Sequence, residues 1–484
     1  MHLLALTVLA RREHAAPLFA GILDARIQES ATLAEEIVAG RGPRVAAASV
    51  AEVALLCGDL MLALDRAEEA EEHYRQAVKL AANGPRGNVR VASCRGTGFM
   101  SLYQHRFGTA AACFARIVED EAATPGHKVE ALCALAIARC GLGQVERALD
   151  ALAEAGQCAE DAGVPEFATL VSLVRVDLIA RLEIRAHASL DDHVFWQQPG
   201  DRVSGFRVQP LAAIDACLAS HGGHALVDHR LRLLRDLVLA SCGDTRALAD
   251  LQDHLALLRR GGRAACEREA RLETALVAIS ANQTDLARAL VEPLQSRAAD
   301  AVRPRWNVEL SYCLAKVCAL AGRVDESMRH YKRYASESMQ CVRVESTQAD
   351  ALDPVRATTA SSAKDDIESR LPAKYRRAYR YLLEHLDSPA LNVREVAEHM
   401  GVTERALQVV FRNQLGMTPG EVIQRARMER IRADLLRDSA PGGSVIETAA
   451  RWGIRNRSTL AASYRKYFRE TPTQTLARRG DARP

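Results

Sequence analysis

Two short stretches near the end of the chain set arginine, glutamine and small residues within five positions of one another. Arg405, Gln408 and Val409 form one set, and Arg457, Ser458 and Ala462 form the other. Spacings of three and four share a helix face, as Arg405 does with Gln408 and Val409 and Ser458 with Ala462, and Arg457 stands directly before that second pair. An arginine there can pair bidentately with the edge of guanine and a glutamine with the edge of adenine, while a valine can touch a thymine methyl. Around them Thr403, Arg412 and Asn413, then Asn456, Arg465 and Lys466, suit phosphate contacts, which position a helix without specifying sequence. A solvated helix face explains any one of these residues alone, and the set carries the reading.

The charge balance agrees. The 484 residues carry a net charge of only +3. From Pro372 to Pro484, however, 2 Lys and 19 Arg stand against 12 acidic residues, a net of +9, which leaves −6 for the rest. A basic tail on an acidic body is expected where one part meets a polyanion.

The elements that must position these side chains are legible in two tandem copies. In LNVREVAEHMGVTERALQVVFRNQLGMTP, Asn392 caps a helix with Glu395 closing a capping box, and Gly401 ends it. Thr403 caps the next helix, whose Leu407, Val410 and Phe411 face inward. In SVIETAARWGIRNRSTLAASYRKYFRETP, Ser444 and Glu447 form the box, and Ala450 takes the place of Ala397. Gly453 makes the turn, Asn456 caps, and Leu460, Tyr464 and Phe468 form the apolar stripe. Each copy is a helix-turn-helix, over about 392–413 and 444–468. Gly420 to Asp438 reads as one amphipathic helix joining them.

These residues resemble the AraC family of transcription regulators over about Leu371 to Leu476. Ala397, Gly401, Leu407, Phe411, Gly416, Pro419, Arg427, Ala450, Gly453, Tyr464, Phe468 and Pro472 fall on the family's pattern. Leu460 stands where phenylalanine is usual and Arg469 where glycine is normal. Val409 holds a reading position that is often arginine, which should cost that helix a guanine contact.

The acidic body, residues 1–342, is expected to be a helical array. Hydrophobic residues make up 48% of the chain and aromatics only 5%, which suits close-packed helices better than a β-sandwich. Ala70, Tyr74 and Ala77 follow Gly58 at offsets that Gly98, Ala110, Phe114 and Ile117 repeat, as do Ala148, Leu152 and Ala155. Ala247 with Leu251, Ala287 with Val291, and Ser327 with Tyr331 return the pattern at steps of 40. Small residues at such offsets let helices approach while the large one fills the groove. The body therefore resembles a tetratricopeptide-like array of the longer-period kind, and the expected architecture is all-α. A non-repeating α-domain is the alternative. The repeat breaks at SLDDHVFWQQPGDRVSGFRVQP, where Phe195 and Trp196 are expected to plug a gap between two half-arrays, with a ligand or partner site as the second reading. Residues 343–371 read as a polar linker, and 372–484 as the DNA-binding domain.

Several classes drop out. All 12 cysteines lie between Cys57 and Cys341 without a C-x-x-C pair, as expected of small core hydrophobes in a reducing compartment. Cys217, His221 and His224 read first as an inter-helix turn and no metal or other cofactor is expected. No G-x-S-x-G, H-E-x-x-H or phosphate-binding glycine loop occurs, which argues against an enzyme. The opening MHLLALTVLARR has its apolar run before its charges and is too short to span a bilayer. The expected location is the bacterial cytoplasm, on the nucleoid, with no membrane partner.

A long helical body ahead of such a tail is similar to the HrpB/HrpX-type activators. That resemblance implies promoters of type III secretion genes as targets, virulence as the setting, and activation through RNA polymerase. A regulatory protein or small-molecule effector at the body, and a homodimer, are further partners it leaves open. The rival reading is a helical-repeat scaffold whose tail adheres to DNA without sequence preference.

Overall fold

Tyr74 shows how the body is built. Its ring lies in the space left by Gly58 in the preceding helix, where a Cβ would fall on the ring. Its other side meets Gly96 in the helix that follows, where a Cβ would lie 3.0 Å from Tyr74 Cβ. Phe114 repeats the arrangement over Gly98, whose Cβ would be 2.7 Å from Cζ. The computed structural model describes residues 8–10, 16–43, 45, 47–82, 86–196, 209–221, 223–295, 304–352, 371, 373–415, 417–437, 445–454, 456–468 and 470–475. Among them every regular element is a helix. The chain divides into two units, Met1–Thr358 and Thr359–Pro484.

In the first unit, helices joined by short turns pack as neighbours, beginning with Ala47–Ala63 on Ala67–Ala81, Arg86–Tyr103 on Phe107–Val118, and Pro125–Gly141 on Val145–Ala162. Ala110, Ala148, Leu152, Ala155, Ala247, Leu251, Ala287 and Val291, picked out by their spacing, are all buried. Turns between paired helices carry one left-handed residue, glycine at Gly243 and Gly322 as expected, but Asp65, His105 and Asn282 elsewhere. Asp and Asn, with short polar side chains, tolerate that conformation. The spacing argument fails at its last step: Tyr331 is 38% exposed, and Tyr334 is buried in its stead. Among the described residues of this unit no helix follows Val324–Leu352.

The second half of the unit folds back on the first. Arg268 donates from both terminal nitrogens to the Asp65 carboxylate at 2.7 Å, across 203 residues of sequence. Arg95, wholly buried, bridges Asp59 and Glu130, and Tyr74 donates to Asp59 at 2.6 Å. Burial opposes the Arg95 charge, but the two carboxylates outweigh it and its pKa rises. Arg230 plays the same part between Asp177 and Glu273. A cavity of about 110 Å³ lies where the halves meet, lined by Tyr103, His105, Trp196, Trp306 and others.

As far as it is described, to Trp196, the insertion packs its aromatic pair against the helices of the body. Trp196 stacks on His193 at 3.8 Å and meets Tyr312 edge-on. Asp192 accepts from Tyr312 and Lys316, and Tyr334 Oη accepts from the Val194 N–H at 2.6 Å. Burial, helped by Arg305 and Arg185, drives the His193 pKa down to about 2. The unfolded chain takes up this proton near pH 6.5 while the folded chain does not. Stability at this site is therefore whole above pH ~6.5 and falls steadily as pH drops from there toward 2. His193→Phe is expected to remove up to ~2 kcal/mol of the loss between pH 7 and 5. Denaturant titrations at both pH values check this, and equal acid sensitivity in the two proteins would refute it.

The helix Val324–Leu352 runs beyond 343, where a linker was expected to begin. STQADAL contains no glycine or proline, and the first helix breaker is Pro354, which disfavours helical backbone in the residue before it. Most cysteines are buried, and burial pushes the thiols of Cys113 and Cys57 up to about 11 and about 12, which suits packing rather than redox chemistry. Among the described residues no helix is long and apolar enough to cross a membrane.

Candidate nucleic-acid interface

The second unit repeats one local design. Asn392 caps the helix Val393–His399 by accepting from the Glu395 N–H at 3.0 Å. The reciprocal half of the expected box is not the bond that forms: the Glu395 carboxylate accepts from Tyr381 at 3.3 Å. Gly401 takes a left-handed φ of 60°. Thr403 then caps the first reader helix, Glu404–Leu415, by accepting from the Ala406 N–H. In the second copy the helix Val445–Arg451 leads to Gly453, φ 74°. Asn456 caps the second reader, Arg457–Phe468, by accepting from Ser458 N–H and Oγ at 2.9 and 2.6 Å. Ser444 lies outside the described residues, as do Gly416 and Arg469. One expectation is corrected: Ala450 is exposed and Ala449 is buried in the place of Ala397. Counted back from the turn glycines, Ala449 and Ala397 both stand four positions before, so Ala449 rather than Ala450 is the equivalent residue.

A single helix, Pro419–Arg437, serves both copies. Its Val422 and Ile423 pack with Leu407 and Phe411 in one core. Its Met428, Ile431 and Leu435 pack with Leu460 and Tyr464 in the other, so Leu460 is an adequate core residue where phenylalanine is usual. Polar ties add direction: Gln424 donates to Ser463 at 2.7 Å and Trp452 to Asp434 at 2.8 Å. Arg427 donates to the carbonyls of Leu386 and Ser388 at 3.0 and 2.5 Å. Its guanidinium lies where a Cβ on Gly453 would be, 2.8 Å from Nη2. Gly453→Ala is thus expected to cost more than Gly401→Ala, which meets only the left-handed penalty of ~1–2 kcal/mol with nothing within 4 Å. Calorimetry of this unit's transition in the full-length chain measures both, and equal losses would remove the role given to Arg427.

A signal in the sequence went unread. Thr418-Pro419-Gly420-Glu421 and Thr471-Pro472-Thr473-Gln474 close each copy with the same capping box. Thr418 N–H donates to Glu421 and Thr471 N–H to Gln474, both at 2.8 Å, and each threonine hydroxyl accepts in return at 3.3 Å. Threonine followed three residues on by Glu or Gln is the recognisable pattern.

The reader helices bury Leu407, Phe411, Leu460, Ser463 and Tyr464. Their other faces leave Arg405, Gln408, Val409 and Arg412 exposed on the first, and Arg457, Ser458, Ala462, Arg465 and Lys466 on the second. Thr403 and Asn456 are exposed beside them; the Asn413 side chain is outside the described set. Elsewhere in this unit Arg394 pairs with Glu398, Arg425 with Glu429 and Arg432 with Glu470, while Arg430 lies over the Trp452 ring and Arg451 donates to the Thr448 hydroxyl. Among the described residues no salt bridge engages Arg405, Arg412, Arg457, Arg465 or Lys466. Val409, 48% exposed, is the one large apolar side chain of the unit left open in this way among the described residues. Two capped motifs with free cations and a bare valine on their outer faces define a DNA-binding protein of the tandem helix-turn-helix class.

Comparison with known proteins narrows the class. A family described as "Helix-turn-helix domain" matches residues 396–478. The regulatory protein HrpB of Ralstonia nicotianae is 36% identical over 442 residues, covering 88% of this chain and 89% of that protein. The probable thc operon regulatory protein of Rhodococcus erythropolis is 34% identical over 28% of this chain and 45% of its own length. The solved C-terminal domain of AraT, a response regulator from Geobacillus stearothermophilus, aligns with 23% of this chain and 88% of that one at 26% identity, TM-score 0.21. The chain belongs to the AraC family of transcriptional regulators, in the group of the regulatory protein HrpB.

Proposed function

We propose that the chain is a sequence-specific activator whose two reader helices enter successive major-groove segments about one helical turn, ~34 Å, apart. Arg405, Gln408 and Val409, then Arg457, Ser458 and Ala462, meet base edges. Thr403, Arg412, Asn413, Asn456, Arg465 and Lys466 meet phosphates. Ser458 spends its hydroxyl hydrogen on Asn456, so toward a base it acts as an acceptor. The observation that carries this reading is the set of exposed cations without a salt bridge among the described residues, Arg405 and Arg412 on one reader helix and Arg457, Arg465 and Lys466 on the other.

Likeness to HrpB over most of the chain supports virulence promoters, those of type III secretion genes, as the targets, with RNA polymerase as the protein contacted there and the nucleoid as the place of action. The DNA-binding domain then comprises residues 372–484, and the body, residues 1–342, receives the regulatory input from a protein or small effector.

Selection of random duplex DNA at physiological salt, by the full chain and by the Pro372–Pro484 fragment, tests the reading. A bipartite motif with centres ~10 bp apart is expected. Binding without any motif and with a steep salt slope would instead favour the scaffold with a non-specific tail.

A further inference from the structure

The cavity where the halves of the body meet has aromatic walls, among them Trp196 and Trp306, and charged side chains of both signs. Several of these charges are engaged within the protein. Asp59 accepts from Arg95 and from Tyr74. Glu273 pairs with Arg181 and Arg230, and Glu269 also acts on Arg181. Arg305 donates to the Gly141 carbonyl at 2.9 Å and lies over the Phe195 ring.

Two lining residues differ. Glu309, on the helix Pro304–Leu320, is only 9% exposed. Among the described residues its carboxylate makes no hydrogen bond and no salt bridge, not even with Arg305 four residues before it on the same helix. Arg185, the last residue of the helix Pro165–Arg185, is half-buried with its guanidinium over the Trp196 ring at 4.8 Å. It too meets no carboxylate among the described residues. The two come from opposite sides of the insertion in sequence and line the same cavity, yet no salt bridge joins them.

A charge taken out of water is normally paired. Here a negative and a positive charge stand open to one cavity without closing on each other. A ligand that satisfies both carries an ammonium for Glu309 and a carboxylate for Arg185, whose planar fork matches a carboxylate with two parallel hydrogen bonds. A simple anion would set a negative charge against Glu309, and a simple amine would set a positive one against Arg185. Size narrows the choice further. A cavity of about 150 Å³ takes a benzene, so about 110 Å³ suits a molecule of about six non-hydrogen atoms. Leu62, Leu102 and Trp306 in the wall leave room for a short alkyl group and no more.

We propose that this cavity binds a small zwitterionic amino acid of about the size of alanine, its ammonium held by Glu309 and its carboxylate by Arg185. The inference deepens the reading of the body as the part that receives an effector and rests on that reading for its regulatory consequence. Binding itself is measured without DNA, so the two can fail separately.

Isothermal titration calorimetry of the full-length chain with L-alanine, propionate and ethylamine is the test. Propionate is alanine without its ammonium, and ethylamine is alanine without its carboxylate. Saturable one-to-one binding of alanine is expected, ~10-fold or more tighter than either analogue, the loss usual for one charged hydrogen-bonding partner. Tryptophan, too large for the space, should not bind. Glu309→Gln should bring alanine down to the affinity of propionate while leaving propionate no weaker, and Arg185→Gln should bring it down to that of ethylamine. Circular dichroism should not change in Glu309→Gln, and a substitution that merely loosened the fold would weaken all three titrants alike. The absence of saturable alanine binding overturns the proposal. Binding that ignores both substitutions overturns it by placing the site elsewhere, and propionate binding as tightly as alanine overturns it by making the cavity an anion site. Operator affinity with and without alanine is measured apart from this, and no change there would count against the effector reading alone.

Discussion

Arg405→Ala and Arg457→Ala are each expected to lower affinity for the selected operator by ~1–3 kcal/mol, and to relax preference at separate base positions. The two side chains belong to different motifs with separate cores. Their effects should therefore add, reaching ~2–6 kcal/mol in the double variant. Arg465→Ala, a phosphate contact on this reading, should weaken binding to every sequence alike and reduce the salt slope by about one. Competition binding against the operator and single-base variants of it, at two salt concentrations, separates these outcomes. If Arg405→Ala and Arg457→Ala reduce affinity equally for all sequences, both helices are misassigned and the tail is only an electrostatic anchor.

In the body, Arg95→Ala should destabilise the fold by ~3–5 kcal/mol, the usual cost of stranding a buried ionic group. Asp59 and Glu130 would be left without the guanidinium that both share, Asp59 keeping its bond from Tyr74. Arg95 also lies over the Phe99 ring at 4.3 Å, so apolar packing is lost with the charge. Lysine should rescue little, because one ammonium cannot make the paired contacts that Arg95 makes with both carboxylates at once. Urea denaturation followed by the body's helical signal measures the loss. A change below ~1 kcal/mol would mean that water or rearrangement compensates the carboxylates and that the cluster is not a structural keystone.

The motifs of the second unit were nearly complete in the sequence. Asn392, Gly401, Thr403, Gly453 and Asn456 do what their types announce, because a cap or a left-handed turn is settled by residues two to four positions away. Ala449 and Ala450 are adjacent alanines, and only the burial of the first tells which of them matches Ala397. Trp452 to Asp434 and Gln424 to Ser463 were invisible, since each joins helices whose relative rotation no local spacing records. That Val324–Leu352 continues past 343 was hidden for a related reason: an exposed helix needs only the absence of breakers, and polarity alone does not end it.

The body divides in the same way. Its helices, its small-residue contacts and the burial of Tyr74 and Phe114 follow from composition and from spacings within one hairpin, where the partners are close in sequence. The closure of Arg268 on Asp65, the bridging of Asp59 and Glu130 by Arg95, and the seating of Trp196 beside Tyr312 do not. Each joins residues far apart in sequence, whose approach depends on the relative rotation of several packed helices, and a spacing within one hairpin does not record it. Among the described residues of this unit Val324–Leu352 is the last helix, and Tyr331, which reads as core by its spacing, is left open on it.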